Sequence, residues 1–109
     1  MPNTYKVLAQ SAPAATTNVT LYTVPAATST VISTITICNR ASSQGTYRIA
    51  IRPAGASLAN THYIAFDVPI QANDTTALTL GITLATTDVV TIYASSADFT
   101  FGLFGSEVT

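Results

Sequence analysis

"LTLGITL", residues 78–84, places Leu78, Leu80, Ile82 and Leu84 at every second position, with Thr79, Gly81 and Thr83 between them. A period of two sends successive side chains to opposite faces of a sheet, so this run reads as a strand with one apolar and one polar face. The same alternation recurs on both sides of it. "TYRIAIR" (46–52) puts Tyr47, Ile49 and Ile51 opposite Arg48 and Arg52, "VISTITIC" (31–38) puts Ile35 and Ile37 opposite Thr34 and Thr36, and "DFTFGLF" (98–104) aligns Phe99, Phe101 and Leu103. With "YKVLAQ", "VTLYTV", "HYIAFDV" and "VVTIYA" the pattern predicts about eight short strands, rich in the β-branched and aromatic residues that suit a pleated surface.

Turn chemistry separates these strands. "QSAPAATTN", "PAATS", "NRASSQG", "PAGASLAN", "QAND", "ATTD" and "SSAD" are dense in Gly, Pro, Asn, Asp and Ser. No segment holds a run at helical spacing; "AGASLAN" is long enough for a single short turn. Strands spaced about 8 to 12 residues apart with no helix between them predict a single antiparallel β-sandwich over residues 1–109, of jelly-roll or immunoglobulin-like topology. Periodicity does not choose between the two.

A chain of 109 residues suffices for one core, and 48% hydrophobic content argues against disorder. Charge is scarce: Asp, Glu, Lys and Arg make up 8% of the chain, against ~25% in an average soluble domain. Threonine supplies about a fifth of all positions and makes the polar surface instead. With a formal net charge of -1 there is little repulsion between copies, which favours a surface covered in an assembly. Nucleic acid is not an expected partner, because phosphate binding needs a basic footprint. No apolar run reaches the ~18 residues of a membrane helix, and "MPNTYKVLAQ" lacks the basic and apolar segments of a secretory leader, so synthesis and retention in the cytoplasm are expected.

The chemistry-bearing residues are few. Cys38 is the sole cysteine, which leaves no intrachain disulfide and no cysteine-based zinc site. His62 is the sole histidine, and on a regular strand Asp67, five positions later, would face the other side of the sheet, so no catalytic pair is expected there. Asp74 and Asp88 each stand just before a strand, where a short carboxylate accepts hydrogen bonds from turn amides, and both are read as structural turn residues. The sequons at Asn18 and Asn73 read as turn polarity, and neither GxGxxG nor GxxxxGK[ST] occurs. No catalytic, cofactor-binding or metal-ligating residue is assigned, and no enzyme activity is expected. Arg40, Arg48 and Arg52 surround "NRASSQGTYRIAIRP", taken as a hairpin, and are the candidate interface: guanidinium groups make bidentate contacts to carboxylates that survive burial.

The order "LYTVPAATSTVISTITICNRA" (21–41), "YRIAIRP" through "GITLATTDVVTIYASS" (47–96) and "FTFGLFGSEVT" (99–109) resembles a group of small tailed-bacteriophage virion proteins across roughly Tyr5 to Val108. The resemblance implies a non-enzymatic virion structural protein, made in the host bacterial cytoplasm and folded as a β-sandwich. The leading expectation is a capsid decoration (cement) protein that partners copies of itself, as a trimer, and the major capsid protein or another virion protein. A neck, tail, baseplate or fibre component is the alternative. A carbohydrate-binding module for host attachment is the alternative of another class; against it, Trp is absent and most Tyr and Phe residues occupy alternating positions suited to a core.

Overall fold

The chain folds back on itself about its middle, and residues equidistant from the 53–62 connection pair with one another. A computed structural model describes residues 3–79 and 81–109. Nine strands are described: β1 (Asn3–Ser11), β2 (Val19–Thr23), β3 (Ser29–Asn39), β4 (Gly45–Arg52), β5 (Tyr63–Ile70), β6 (Thr75–Leu78), β7 (Ile82–Leu84), β8 (Val89–Ala94) and β9 (Phe99–Val108). Asn3 pairs with Val108, Val19 with Ile92, Ile35 with Leu78, and Gly45 with Ile70, every ladder being antiparallel. Rolling this long hairpin divides its ladders between two sheets, β1-β9-β3-β6 with β7 also on β3, and β2-β8-β4-β5. Outermost pairing with outermost, and innermost with innermost, is the jelly-roll arrangement of the two topologies left open by periodicity.

Two sequence expectations are revised by this roll. β3 and β4 lie in different sheets, so "NRASSQG" is a corner between sheets rather than a hairpin turn, and "ATTD", between β7 and β8, is another such corner. "LTLGITL" is two strands, because Gly81 adopts φ +65° and breaks the run. The apolar side nevertheless faces inward on both pieces: Leu84 is buried, and Leu78 and Ile82 pack against the core. Leu80, expected beside them, lies outside the described residues.

The core is one cluster fed by both sheets. Ile32, Ile35, Ile37, Phe99, Phe101 and Leu103 come from one, Tyr47, Ile49, Val90, Ile92 and Ala94 from the other. Full burial of such side chains is worth about 1.5–3 kcal/mol each, before the entropy of ordering them. Keeping the inward set inward takes β-bulges, since a slip of one residue would turn a strand's apolar face outward. Register shifts occur in β1 between Val7 and Ala9, in β2 between Thr20 and Tyr22, and in β3 between Ile32 and Thr34. At the β3 bulge the two backbones approach so closely that a Cβ on Gly105 would overlap the Val31 carbonyl oxygen.

This close approach separates two glycines experimentally. Gly105→Ala forces backbone against backbone and is expected to cost about 3 kcal/mol. Gly81→Ala meets no atom within 4 Å among the described residues beyond its chain neighbours and bears only the left-handed backbone cost of about 1 kcal/mol. Urea unfolding midpoints of the two variants check the order.

Candidate functional site

Asp74 and Asp88 do not converge. The Asp74 carboxylate accepts from the adjacent Thr75 amide at 2.8 Å, while its carbonyl accepts from the Asn39 amide. Asp88 spends both carboxylate oxygens on backbone: Oδ2 accepts from Ala85 N–H at 2.9 Å within its own corner, and Oδ1 from Ala54 N–H at 2.8 Å. Ala54 stands at φ 53° in the connection between β4 and β5. One side chain thus ties the β7–β8 corner to the middle of the long hairpin. The two carboxylates serve separate corners, and three of their four oxygens accept from backbone amides, which is the turn role read from the sequence.

The three arginines also separate. Arg40 leaves the end of β3, with Nε on Thr100 Oγ1 at 2.9 Å and Nη2 on the Ala97 carbonyl. Arg48 and Arg52 stand on the outer face of the other sheet, where Arg52 Nη1 donates to the Ala56 carbonyl and its buried Nε has no partner among the described residues. Arg48 is neutralised locally: Nε and Nη2 donate to the two oxygens of Asp67 at 2.7 and 3.3 Å, and the guanidinium lies 4.2 Å from the ring centroids of both Phe66 and Tyr93. The hydrogen bond to Asp67 is the main reason its pKa rises above the ordinary value. A contiguous basic patch is therefore not what these residues form.

His62 belongs to a single helical turn, Asn60–His62, rather than to a strand. Its Nδ1 accepts from the Ala59 amide at 3.1 Å, which leaves Nε2 to carry the proton in the neutral ring. Cys38 is a half-buried free thiol, and no group of three or more His, Cys, Asp or Glu side chains able to hold a metal occurs among the described residues. Among those residues, too, no helix is long and apolar enough to cross a membrane.

Two polar networks escape sequence reasoning because their partners are distant in the chain. Asn39 is fully buried; its Nδ2 donates to the carbonyls of Ser43, Ile70 and Gln71, and its Oδ1 accepts from Ala41, which pins the β3–β4 corner to the end of β5. Tyr22 crosses the sandwich from β2, sharing a hydrogen bond with Thr30 and donating to Glu107 on β9, whose other oxygen meets Lys6 of β1 at 2.9 Å. Burial first, and the bond to Glu107 second, push the Tyr22 phenol up to about 12. That same bond, followed by the one from Lys6, holds Glu107 below the usual carboxylate range.

The two outer faces differ in kind. On the β1-containing sheet Tyr5, Val7 and Val31 are exposed, and they flank Phe104, whose ring folds back over Gly102. On the other sheet the β4–β5 register shifts twice, turning Ile64 and Phe66 outward and setting Asp67 at φ 52°. Tyr63 and Phe66 meet at 86° with centroids 4.9 Å apart, and with Asn60 they line a cleft of about 300 Å³. The expectation that most Tyr and Phe residues sit in the core is corrected here. Tyr22, Tyr47, Phe99 and Phe101 are buried, whereas Tyr5, Tyr63, Tyr93, Phe66 and Phe104 are half-buried or exposed: alternation itself turns Tyr93 and Phe104 outward, and the β5 irregularity adds Phe66.

Pairing and layers define the class: an all-β antiparallel sandwich with one apolar outer face and a second on which aromatic rings surround the Arg48–Asp67 ion pair. Comparison of the chain with protein-family models, with curated proteins and with solved structures returned no significant match.

Two tests follow from these networks. Asp88→Asn must point an NH₂ at one of two amides that need an acceptor and is expected to destabilise by about 2 kcal/mol, whereas Asp74→Asn keeps its single acceptor and stays within about 0.5 kcal/mol. Equal unfolding midpoints for the two variants would contradict the corner role of Asp88. The second test is pH. The depressed Glu107 contributes stability that is whole above the ordinary carboxylate value of 4.5 and falls away as acid protonates it. The raised Tyr22 contributes stability that is whole below pH 10 and is lost as pH climbs through about 12. Stability measured against pH should therefore lose its acid limb in part in Glu107→Gln, and its alkaline limb in part in Tyr22→Phe.

Proposed function

We propose that the protein is a non-enzymatic structural component of a bacteriophage virion, a capsid decoration protein that stabilises the shell by covering junctions between its subunits. The observation that carries this reading is the outer face of the β1-containing sheet. It presents Tyr5, Val7, Val31 and Phe104 among Ser and Thr, and Lys6 of β1 is turned away from it to pair with Glu107. A neutral, apolar sheet face of this kind gains by being covered and has no charge to desolvate.

Size agrees with that use. The sheet is four strands wide, and β3 alone runs eleven residues, so at ~4.8 Å per strand and ~3.3 Å per residue the face spans roughly 700 Å². A standard interface covers ~800 Å² on each partner. The resemblance to small virion proteins supplies the kind of assembly, and the scarcity of charge the tendency to associate. Decoration by copies of this chain, as trimers, then places the apolar face against the major capsid protein or against a neighbouring copy. Binding the assembled shell and not its free subunits stabilises the shell by mass action.

Particles with and without the protein, challenged by heat and osmotic shock, test the role. Loss of the protein is expected to lower the temperature of genome release, and Val31→Lys is expected to abolish particle binding while leaving the isolated domain folded by circular dichroism. Particles equally robust without the protein would sink the cement role. A copy number of a dozen or fewer per particle would move it to the neck or tail.

A further inference from the structure

The opposite face of the sandwich carries a different feature. Phe66 is 53% exposed, a large apolar side chain held in water, and its surroundings fix it there. The Arg48 guanidinium stacks 4.2 Å from its ring centroid, Asp67 grips that guanidinium through both oxygens, and Tyr63 braces the ring at right angles. Asp67 reaches this position only by taking φ 52° in a bulge, a backbone conformation that costs a non-glycine residue about 1 kcal/mol or more. Such a ring is preorganised rather than merely exposed, and preorganisation lowers the entropic cost of binding.

The chemistry of the walls selects the ligand. Tyr63 and Phe66 form an apolar corner, so one surface of the ligand must be apolar and flat enough to lie on an aromatic ring. Asn60 completes the wall with an amide that can donate twice and accept twice, so a wholly apolar ligand would strip it of water and return nothing. No counter-charge is on offer, because Arg48 is already satisfied by Asp67, Phe66 and Tyr93. The ligand is therefore uncharged, with an apolar face and a hydroxylated rim. A cleft of about 300 Å³ lies at the lower end of the range for small-molecule sites, which suits one or two such rings.

We infer that the cleft formed by Asn60, Tyr63 and Phe66 is a binding site for a neutral pyranose, a sugar ring stacked in the aromatic corner with its hydroxyls on the Asn60 amide. The assignment does not rest on the virion role; it requires only that this face be open, and it lies on the side of the sandwich away from the proposed capsid contact. Arg48 and Asp67 act here as positioning residues that hold Phe66, not as ligands for the sugar.

Titration of the ¹⁵N-labelled full chain with methyl β-D-glucopyranoside, methyl β-D-galactopyranoside and N-acetylglucosamine at millimolar concentration, after a survey on an array of neutral glycans, tests the site. Saturable shifts confined to the amides around Asn60, Tyr63 and Phe66 are expected for at least one sugar. Phe66→Ala should weaken its binding about tenfold, the loss of one aromatic contact, and Asn60→Ala, which leaves the rings in place, by a similar factor. Tyr5→Ala on the far face should change nothing. Absence of saturable binding by any probe, shifts centred elsewhere, or affinity unaltered in both Phe66→Ala and Asn60→Ala would each overturn the assignment. So would a Phe66→Ala protein that binds sugars normally but no longer joins particles, since the cluster would then be a protein contact; failure of the cement test alone leaves the sugar result standing.

Discussion

Everything in this molecule depends on β9 keeping its own alternation unbroken between β1 and β3, both of which carry a bulge against it. Phe99, Phe101 and Leu103 supply the centre of the core from this strand, Gly105 admits the bulged backbone of β3, and Glu107 then receives Tyr22 from across the sandwich and Lys6 from β1. Each of these residues faces inward only because it stands an even number of positions from the next. Were the β3 bulge lost, the β3 side chains before it would face the wrong way: Thr30 and Ile32 would leave the interior, and Tyr22 would lose its hydrogen bond with Thr30. The bulge is thus what allows eleven residues of β3 to accompany ten of β9 with both ends still aligned.

The fold class was legible because period two is a local property. Ile35, Ile37, Phe99, Phe101 and Leu103 announce their faces from neighbouring letters alone, and all are buried. The partner of each strand was not legible, since antiparallel pairing at a distance leaves no mark in either segment. The taking of "NRASSQG" for a hairpin turn fails for that reason: turn residues report a reversal of direction, which a corner between sheets also requires. Topology becomes readable only when the ladders are seen to join residues equidistant from the middle of the chain.

The candidate sites divide along the same line. Asp74 and Asp88 could be placed in turns from local chemistry, yet Ala54 as a partner of Asp88 lies 34 positions away and has nothing in its side chain to advertise it. The sequence offers Arg48 to an external carboxylate, but a bulge in β5 delivers Asp67 to it, and bulges leave no reliable signature in "HYIAFDV". Phe66 and Ile64 reach the surface through the same irregularity. An aromatic at a position of the kind read as suited to a core is the one on which the proposed sugar site rests, and the cause is a shift of register rather than any unusual residue.

Scarcity of charge also acquires a different meaning. Nine side chains are charged in all. Lys6 with Glu107 and Arg48 with Asp67 form ion pairs, Arg40, Arg52, Asp74 and Asp88 bind backbone or hydroxyl groups of loops and corners, and only Asp98 is left without such a side-chain bond among the described residues. The charges are fastenings rather than a solvating coat. Exposed ion pairs add little stability singly, but each pairing of opposite charges weakens the field that either charge alone would cast. Most of what remains outside is hydroxyl, methyl and aromatic, which repels a like surface weakly. A surface of this kind favours contact through shape and apolar area, and that is the physical basis for the proposals made for its two sheet faces.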